Sequence, residues 1–373
     1  MFCIIEVERS MGIKYYIRLY TRHHVLIDEL YIFGNVKYTK TLNGIGNMEF
    51  AMPIRYLKEK NIELALGQHI ELYLIENNEE DLLWYGVVNS PVPSGPDIQC
   101  TCLGYACLLQ NRNFTYIDID SENEWKKTYY NKQYGNLIQE LIREINDIYD
   151  TGIGIGTIQP TTQRTDRIIN WDDDLYDKIQ EFIEESNCYF LINKDRFFNF
   201  YTKYGKDKSE YYEINDYNII GQWDYTIDET QIFNSIHART VYTESGENGD
   251  QVTTILKSDF KDDESIKMYG MREMPLTVNE IKLQETLDEQ CKDALAMYKD
   301  PLVTCNVEIG ICDSFNIFDI EPGDTIKLNT EKYNLNIKIR VLEYTVDLTK
   351  NTVNISLGNA IFRDIKPNIY RYS

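Results

Sequence analysis

One pattern occurs twice in the chain, and it limits the possible folds more than any other feature. Leu66-Gly67-Gln68-His69-Ile70-Glu71-Leu72 lies in the first third, and Pro322-Gly323-Asp324-Thr325-Ile326-Lys327-Leu328 lies near the end. Each reads as a glycine turn entering a strand of alternating polarity. A polar hairpin loop and a second strand follow in both, Trp84-Tyr85-Gly86-Val87-Val88 and Lys338-Ile339-Arg340-Val341-Leu342. A third strand then ends on a glycine, Gly104 in one copy and Gly358 in the other, so that from first to last glycine the copies span 37 and 35 positions. Near-equal spacing predicts one strand order for residues 63–112 and 318–358. Three chains carrying such a duplicated module offer six similar surfaces, and closing them into a ring hides strand edges that otherwise aggregate.

The rest of the chain fits around this repeat. Residues 1–112 read as β, with strand-like stretches separated by Asn43-Gly44 and Pro93-Ser94-Gly95-Pro96, a spacing that predicts a barrel or sandwich. From 113 the period changes. Leu137, Leu141, Ile145 and Ile148 share one helical face, as do Leu175, Ile179, Phe182 and Ile183, and a hairpin turning at Asn193–Arg196 follows. Residues 113–205 therefore read as a small α+β domain. Residues 206–373 form a second β region, with an acidic tip at Glu244–Asp250, a long helix at about 277–299 between Pro275 and Pro301, and a C-terminal barrel module at about 301–373. The expected class is mainly β with an α+β insertion: two similar tube-like β-barrels and a small helix-hairpin domain.

Charge and side-chain chemistry exclude more than they assign. A formal net charge of −22 opposes nucleic-acid binding, which needs clustered Lys and Arg, while it suits a wall past which DNA must slide. No apolar run is long enough to span a membrane, and the start MFCIIEVERS lacks the pattern of a signal peptide, so synthesis in a cytosol is expected. Cys3, Cys100, Cys102, Cys107, Cys188, Cys291, Cys305 and Cys312 lack metal or disulfide spacing and read as small core residues. His23, His24, His69 and His237 form no ligand motif, and neither metal nor cofactor is expected. Gly152, Gly154 and Gly156 lack the GK[ST] ending of a phosphate loop and read as a flexible connection. Asp172–Asp174 read as helix-capping carboxylates, and Asp259–Glu264 as a solvated turn, because neither has calcium-loop spacing. Trp84, Trp125, Trp171 and Trp223 read as core or interface anchors before they read as a sugar platform, and the 29 tyrosines suit large interfaces. No catalytic motif stands out, and no residue is singled out as catalytic, cofactor-binding or metal-binding.

The order of these features resembles the hub proteins of phage baseplates and the N-terminal hub region of tail-associated lysins. The resemblance is carried by the Leu66-Gly67 module ending in Gly104-Tyr105 and Leu108-Leu109-Gln110-Asn111-Arg112, a phrase the family shows before its helical domain. Ser265-Ile266-Lys267-Met268-Tyr269-Gly270-Met271-Arg272-Glu273 is similar to the family's phrase ahead of the long helix, and Pro322-Gly323-Asp324 opens the terminal module. The resemblance implies a structural, non-enzymatic homotrimer at the virion tail tip. It would cap the tail tube around a lumen that DNA traverses, and meet tail tube, distal tail and tape-measure proteins, with fibre or spike proteins beyond. The chain stops 15 residues after Gly358, so no appended lytic domain is expected. The alternatives are a cell-wall hydrolase using an unmarked carboxylate pair and a carbohydrate-binding receptor protein of the tail.

Overall fold

The computed structural model describes residues 14–359 except 78, 121–123, 162–163, 246–250, 279–280, 313–314 and 333–334. Cys3 and most of the expected acidic tip at Glu244–Asp250 lie outside the described residues.

The first region contains β1 (Lys14–Tyr20), β2 (Leu26–Leu30), β3 (Gly34–Thr41), β4 (Asn47–Pro53), the short helix α1 (Ile54–Glu59), β5 (His69–Glu76), β6 (Glu79–Ser94) and β7 (Asp97–Leu103). The middle region contains β8 (Lys126–Gln133), α2 (Tyr134–Ile148), β9 (Gly154–Ile158), β10 (Arg164–Asn170), α3 (Leu175–Ser186), β11 (Tyr189–Ile192) and β12 (Phe197–Tyr201). The last contains β13 (Glu213–Asn215), β14 (Ile219–Asp228), β15 (Ser235–Ser245), β16 (Gln251–Lys261), α4 (Asp263–Tyr269), β17 (Glu273–Thr277), α5 (Gln284–Tyr298), β18 (Leu302–Gly310), β19 (Thr325–Thr330), β20 (Leu335–Asp347) and β21 (Thr352–Gly358). The chain is mainly β, as its alternating patterns require.

The repeat is present in strand order and in detail. In the first copy β5 pairs β6, β6 pairs β7, and β7 pairs β4; in the second β19 pairs β20, β20 pairs β21, and β21 pairs β18, all antiparallel. A bulge interrupts the second strand at the same place, between Val88 and Ser90 and between Val341 and Glu343. The glycine turns are bonded alike: Gly67 N–H donates to Val88 O at 2.8 Å, and Gly323 N–H to Val341 O at 2.7 Å. Both glycines need positive φ (+76° and +104°), which side chains resist. A Cβ on Gly323 would also meet the Tyr204 ring at 2.8 Å.

The two barrels expected separately are not closed among the described residues; the two β regions run as one open 13-stranded sheet ending at β14 and β2. The cause is the length of β20. Its first half pairs β19, and beyond the bulge Glu343–Asp347 leave β19 and pair Thr41–Lys37 of β3, in the other repeat. The edge needed to close a second barrel is spent on the first region. One apolar core consequently contains Met48, Phe50, Cys100 and Cys102 together with Cys305, Val341, Tyr344 and Ile355.

The middle region has its own core. Leu137, Leu141 and Ile145 of α2 meet Leu175, Ile179 and Phe182 of α3 over Phe198 and Phe200, as the two helical stripes predict, whereas Ile148, expected on the same face, ends the helix 44% exposed. Asp174 caps α3, its Oδ1 accepting from Tyr176 N at 2.9 Å and Asp177 N at 3.3 Å. Gly154 and Gly156 are not a flexible connection; they belong to β9, which pairs parallel with β12. A third core places Leu287, Cys291 and Tyr298 of α5 against Ile236 and Ala238 of β15. Two local expectations shift here. Pro275 lies within β17, so the long helix begins at Gln284, and Asp262 caps α4, Oδ1 accepting from Ser265 N at 2.9 Å, where a solvated turn is expected.

Candidate assembly surface

The internal seam between β3 and β20 shows how two repeats join. The side chains of Tyr38, Tyr344 and Val346 are almost wholly buried in it. Thr39 Oγ1 and Thr345 Oγ1 lie 2.8 Å apart, and Lys40 Nζ reaches Glu321 Oε1 of the second glycine turn at 2.8 Å. The turn itself is fixed from below by Asp324, 3% exposed. Its carboxylate accepts from Lys206 N at 2.7 Å and Glu321 N at 3.0 Å, and Lys208 Nζ lies at 2.8 Å. Gln68 holds the corresponding place in the first repeat, its Oε1 accepting from Ala65 N at 2.8 Å.

Each repeat also has a strand edge without a paired strand among the described residues. In the first it is Ser90–Ser94, the distal part of β6, which pairs β7 on one side only. In the second it is the side of β14 away from β18. Ile220 and Ile227 of β14 are 58% and 50% exposed, and Val92 of β6 is 53% exposed. Exposed apolar residues on an open edge are a recognised mark of an interface.

A polar cluster near the first glycine turn ties the β1–β2 hairpin to the sheet. His69 Nε2 lies 3.2 Å from Arg22 O, and since a carbonyl only accepts, Nε2 carries the proton. Nδ1 then accepts from Tyr105 O–H at 3.3 Å. Burial disfavours the imidazolium and lowers the His69 pKa to about 4. Glu71, also buried, accepts from the hydroxyls of Tyr20 at 2.6 Å and Tyr73 at 2.8 Å.

Two further groups bear on chemistry. Ser235 Oγ lies 3.1 Å from His237 Nε2, and His237 Nδ1 lies 2.8 Å from Asp259 Oδ1, the order of a serine hydrolase relay. The surroundings do not suit acyl transfer. Ser235 is 4% exposed between β16 and β17, its N–H donates to Arg272 O, and Glu273 Oε1 also approaches Nε2 at 3.3 Å. His237 faces Asp259 because β15 and β16 pair those two residues, and Arg239 joins the same carboxylate at 3.1 Å. The cluster ties three strands together. No motif marked it in the sequence; only cross-strand register creates it.

Of the tryptophans, Trp84 is core and Trp223 stacks on Tyr225 with ring centroids 5.9 Å apart. Trp125 and Trp171 are 48% and 47% exposed and adjacent, centroids 6.5 Å apart, at the end of the β8–β10 pair. Among the described residues no group of three or more His, Cys, Asp or Glu is placed to hold a metal ion, and no helix is long and apolar enough to cross a membrane.

No curated protein matches the chain by sequence. The prophage endopeptidase tail family matches residues 192–366. Among solved structures, the prophage tail protein gp18 of Listeria monocytogenes EGD-e shares the fold with a TM-score of 0.59 at 14% identity, over 92% of this chain and 94% of its own. The 43 kDa tail protein of prophage MuSo2 from Shewanella oneidensis gives 0.58 at 11% identity, over 94% and 99%. A tail protein from Neisseria meningitidis MC58 gives 0.57 at 12%, over 93% and 97%. The chain is thus similar to the prophage endopeptidase tail family across its C-terminal part, just under half of its length, and shares the fold of these prophage tail proteins along nearly all of it.

Proposed function

We propose that the chain is a structural hub of the tail tip, a non-enzymatic subunit that closes as a homotrimer around the channel and caps the tail tube. The observation that carries this reading is the duplicated module together with its internal seam. If the join between β3 and β20 recurs between chains, three chains supply six similar modules, and the open sheet closes into a tube wall. Residues 1–112 and the C-terminal module at about 301–373 would alternate around the lumen, with the 113–205 domain outside. A net charge of −22 suits a wall that DNA passes without specific binding. Tail tube, distal tail and tape-measure proteins would dock on the two rims, with fibre or spike proteins beyond.

The exposed pair Trp125 and Trp171 favours a second role, as a docking point for a glycan or a distal protein. Gold-labelled chain located by electron microscopy tests the main reading. Label at the tail end supports it, and label along the shaft or away from the particle contradicts it. A zymogram on bacterial peptidoglycan and glycan-array binding test the hydrolase and receptor alternatives.

A further inference from the structure

We propose that the seam between chains joins β14 of one copy to the distal half of β6 of the next, and that Pro91 and Pro93 hold this seam weak until assembly. The inference rests on the ring reading and names its contact surface.

The template is the internal seam. Leu42 N donates to Leu342 O and Leu348 N to Val36 O, each at 3.0 Å, so β20 turns the backbone groups of its even-numbered residues here toward β3. Alternation along a strand then aims Tyr344 and Val346 at β3 as well, where they pair with Lys40 and Tyr38. The matching bulges equate Val88 with Val341, so Tyr344 and Val346 correspond to Pro91 and Pro93. On the other side, Tyr38 pairs Met48 as Tyr225 pairs Cys305, which makes β14 the counterpart of β3. The first repeat therefore offers β14 of another copy the same edge with its two central donors removed. The carbonyls of Pro91 and Pro93 can still accept from Ile227 and Tyr225 of a second copy, but neither proline can donate in return. Proline on an open edge is a known guard against premature strand pairing.

The pair equivalent to Thr39 and Thr345 is Thr226 of one copy against Val92 of the next, both exposed, and it supplies a direct test. The full-length double variant V92C/T226C, oxidised at micromolar concentration beside each single variant, is expected to give crosslinks between chains that stop at three. The full-length P91Y/P93V variant, which writes the second repeat's residues into the first, is expected to form trimers about tenfold or more tighter than the native chain by sedimentation velocity. Trimers that form without a 92–226 crosslink overturn the seam and leave the ring standing. A P91Y/P93V chain that keeps its native circular dichroism yet associates no more tightly overturns the proline guard. Absence of trimers both in solution and in assembled tails defeats the ring reading, and this inference with it.

Discussion

The two repeats share strand order, bulge and glycine turn, yet one edge is buried in the molecule and its counterpart has no paired strand among the described residues. At the buried seam, Tyr344 and Val346 have N–H groups to give and side chains almost fully enclosed. At the open edge the same positions are Pro91 and Pro93. The duplication has diverged where permanent and conditional pairing differ. A seam made at folding needs every donor satisfied, whereas an edge that waits for a partner must not pair too soon.

Exchanging the residues between the two edges has the largest expected effect. Val346→Pro removes a ladder donor inside the core, leaves the Tyr38 carbonyl buried without its partner and should destabilise the chain by about 4 kcal/mol. Thermal or urea unfolding reads this directly. Pro93→Val at the open edge should leave the unfolding of the single chain within about 0.5 kcal/mol. If both substitutions are equally mild, the seam is not the structural joint described above.

The next effect concerns the glycine turns. Asp324→Ala strands two part-buried backbone donors and one lysine, which should cost about 3 kcal/mol, whereas Gln68→Ala, with fewer partners, should cost about 1 kcal/mol. Urea midpoints of the two variants, compared at equal m-value, check the ranking. Gly323→Ala should likewise cost more than Gly67→Ala, because the Cβ on Gly323 meets the Tyr204 ring and that on Gly67 meets the flexible end of Arg22 at 3.2 Å.

A smaller effect separates the repeats by pH. The first carries buried His69 where the second has Thr325. With its folded pKa lowered to about 4, against an unfolded value of about 6.5, the unfolded chain binds the extra proton between those values. Stability contributed by neutral His69 is therefore whole above pH 6.5 and is lost as pH falls to 4, by up to about 3 kcal/mol. His69→Phe should flatten that part of the stability profile. An unchanged slope would place the titration elsewhere.

Much of this was legible in the sequence because it is local. Gly67 and Gly323, followed by alternating residues, mark the repeat, and the helical stripes of Leu137–Ile145 and Leu175–Phe182 mark the middle core. The pairing of β20 with β3 was not legible, since it joins residues about 300 positions apart and no local preference encodes it. Pro93 reads in sequence as part of a turn, yet β6 runs on through it to Ser94, because an edge position tolerates a missing donor. Gly154 and Gly156 read as connection for a similar reason. Glycine has no strand preference, and only the approach of Asn199 and Phe197 explains them.

The most direct test of the ring is a reconstruction of the assembled tail tip by electron cryo-microscopy without imposed symmetry. Three copies of the chain are expected in one ring, with the β3–β7 and β18–β21 modules alternating around the lumen and β14 of each chain beside β6 of the next. Six or twelve copies per tail, or both modules lying outside the channel wall, would contradict it.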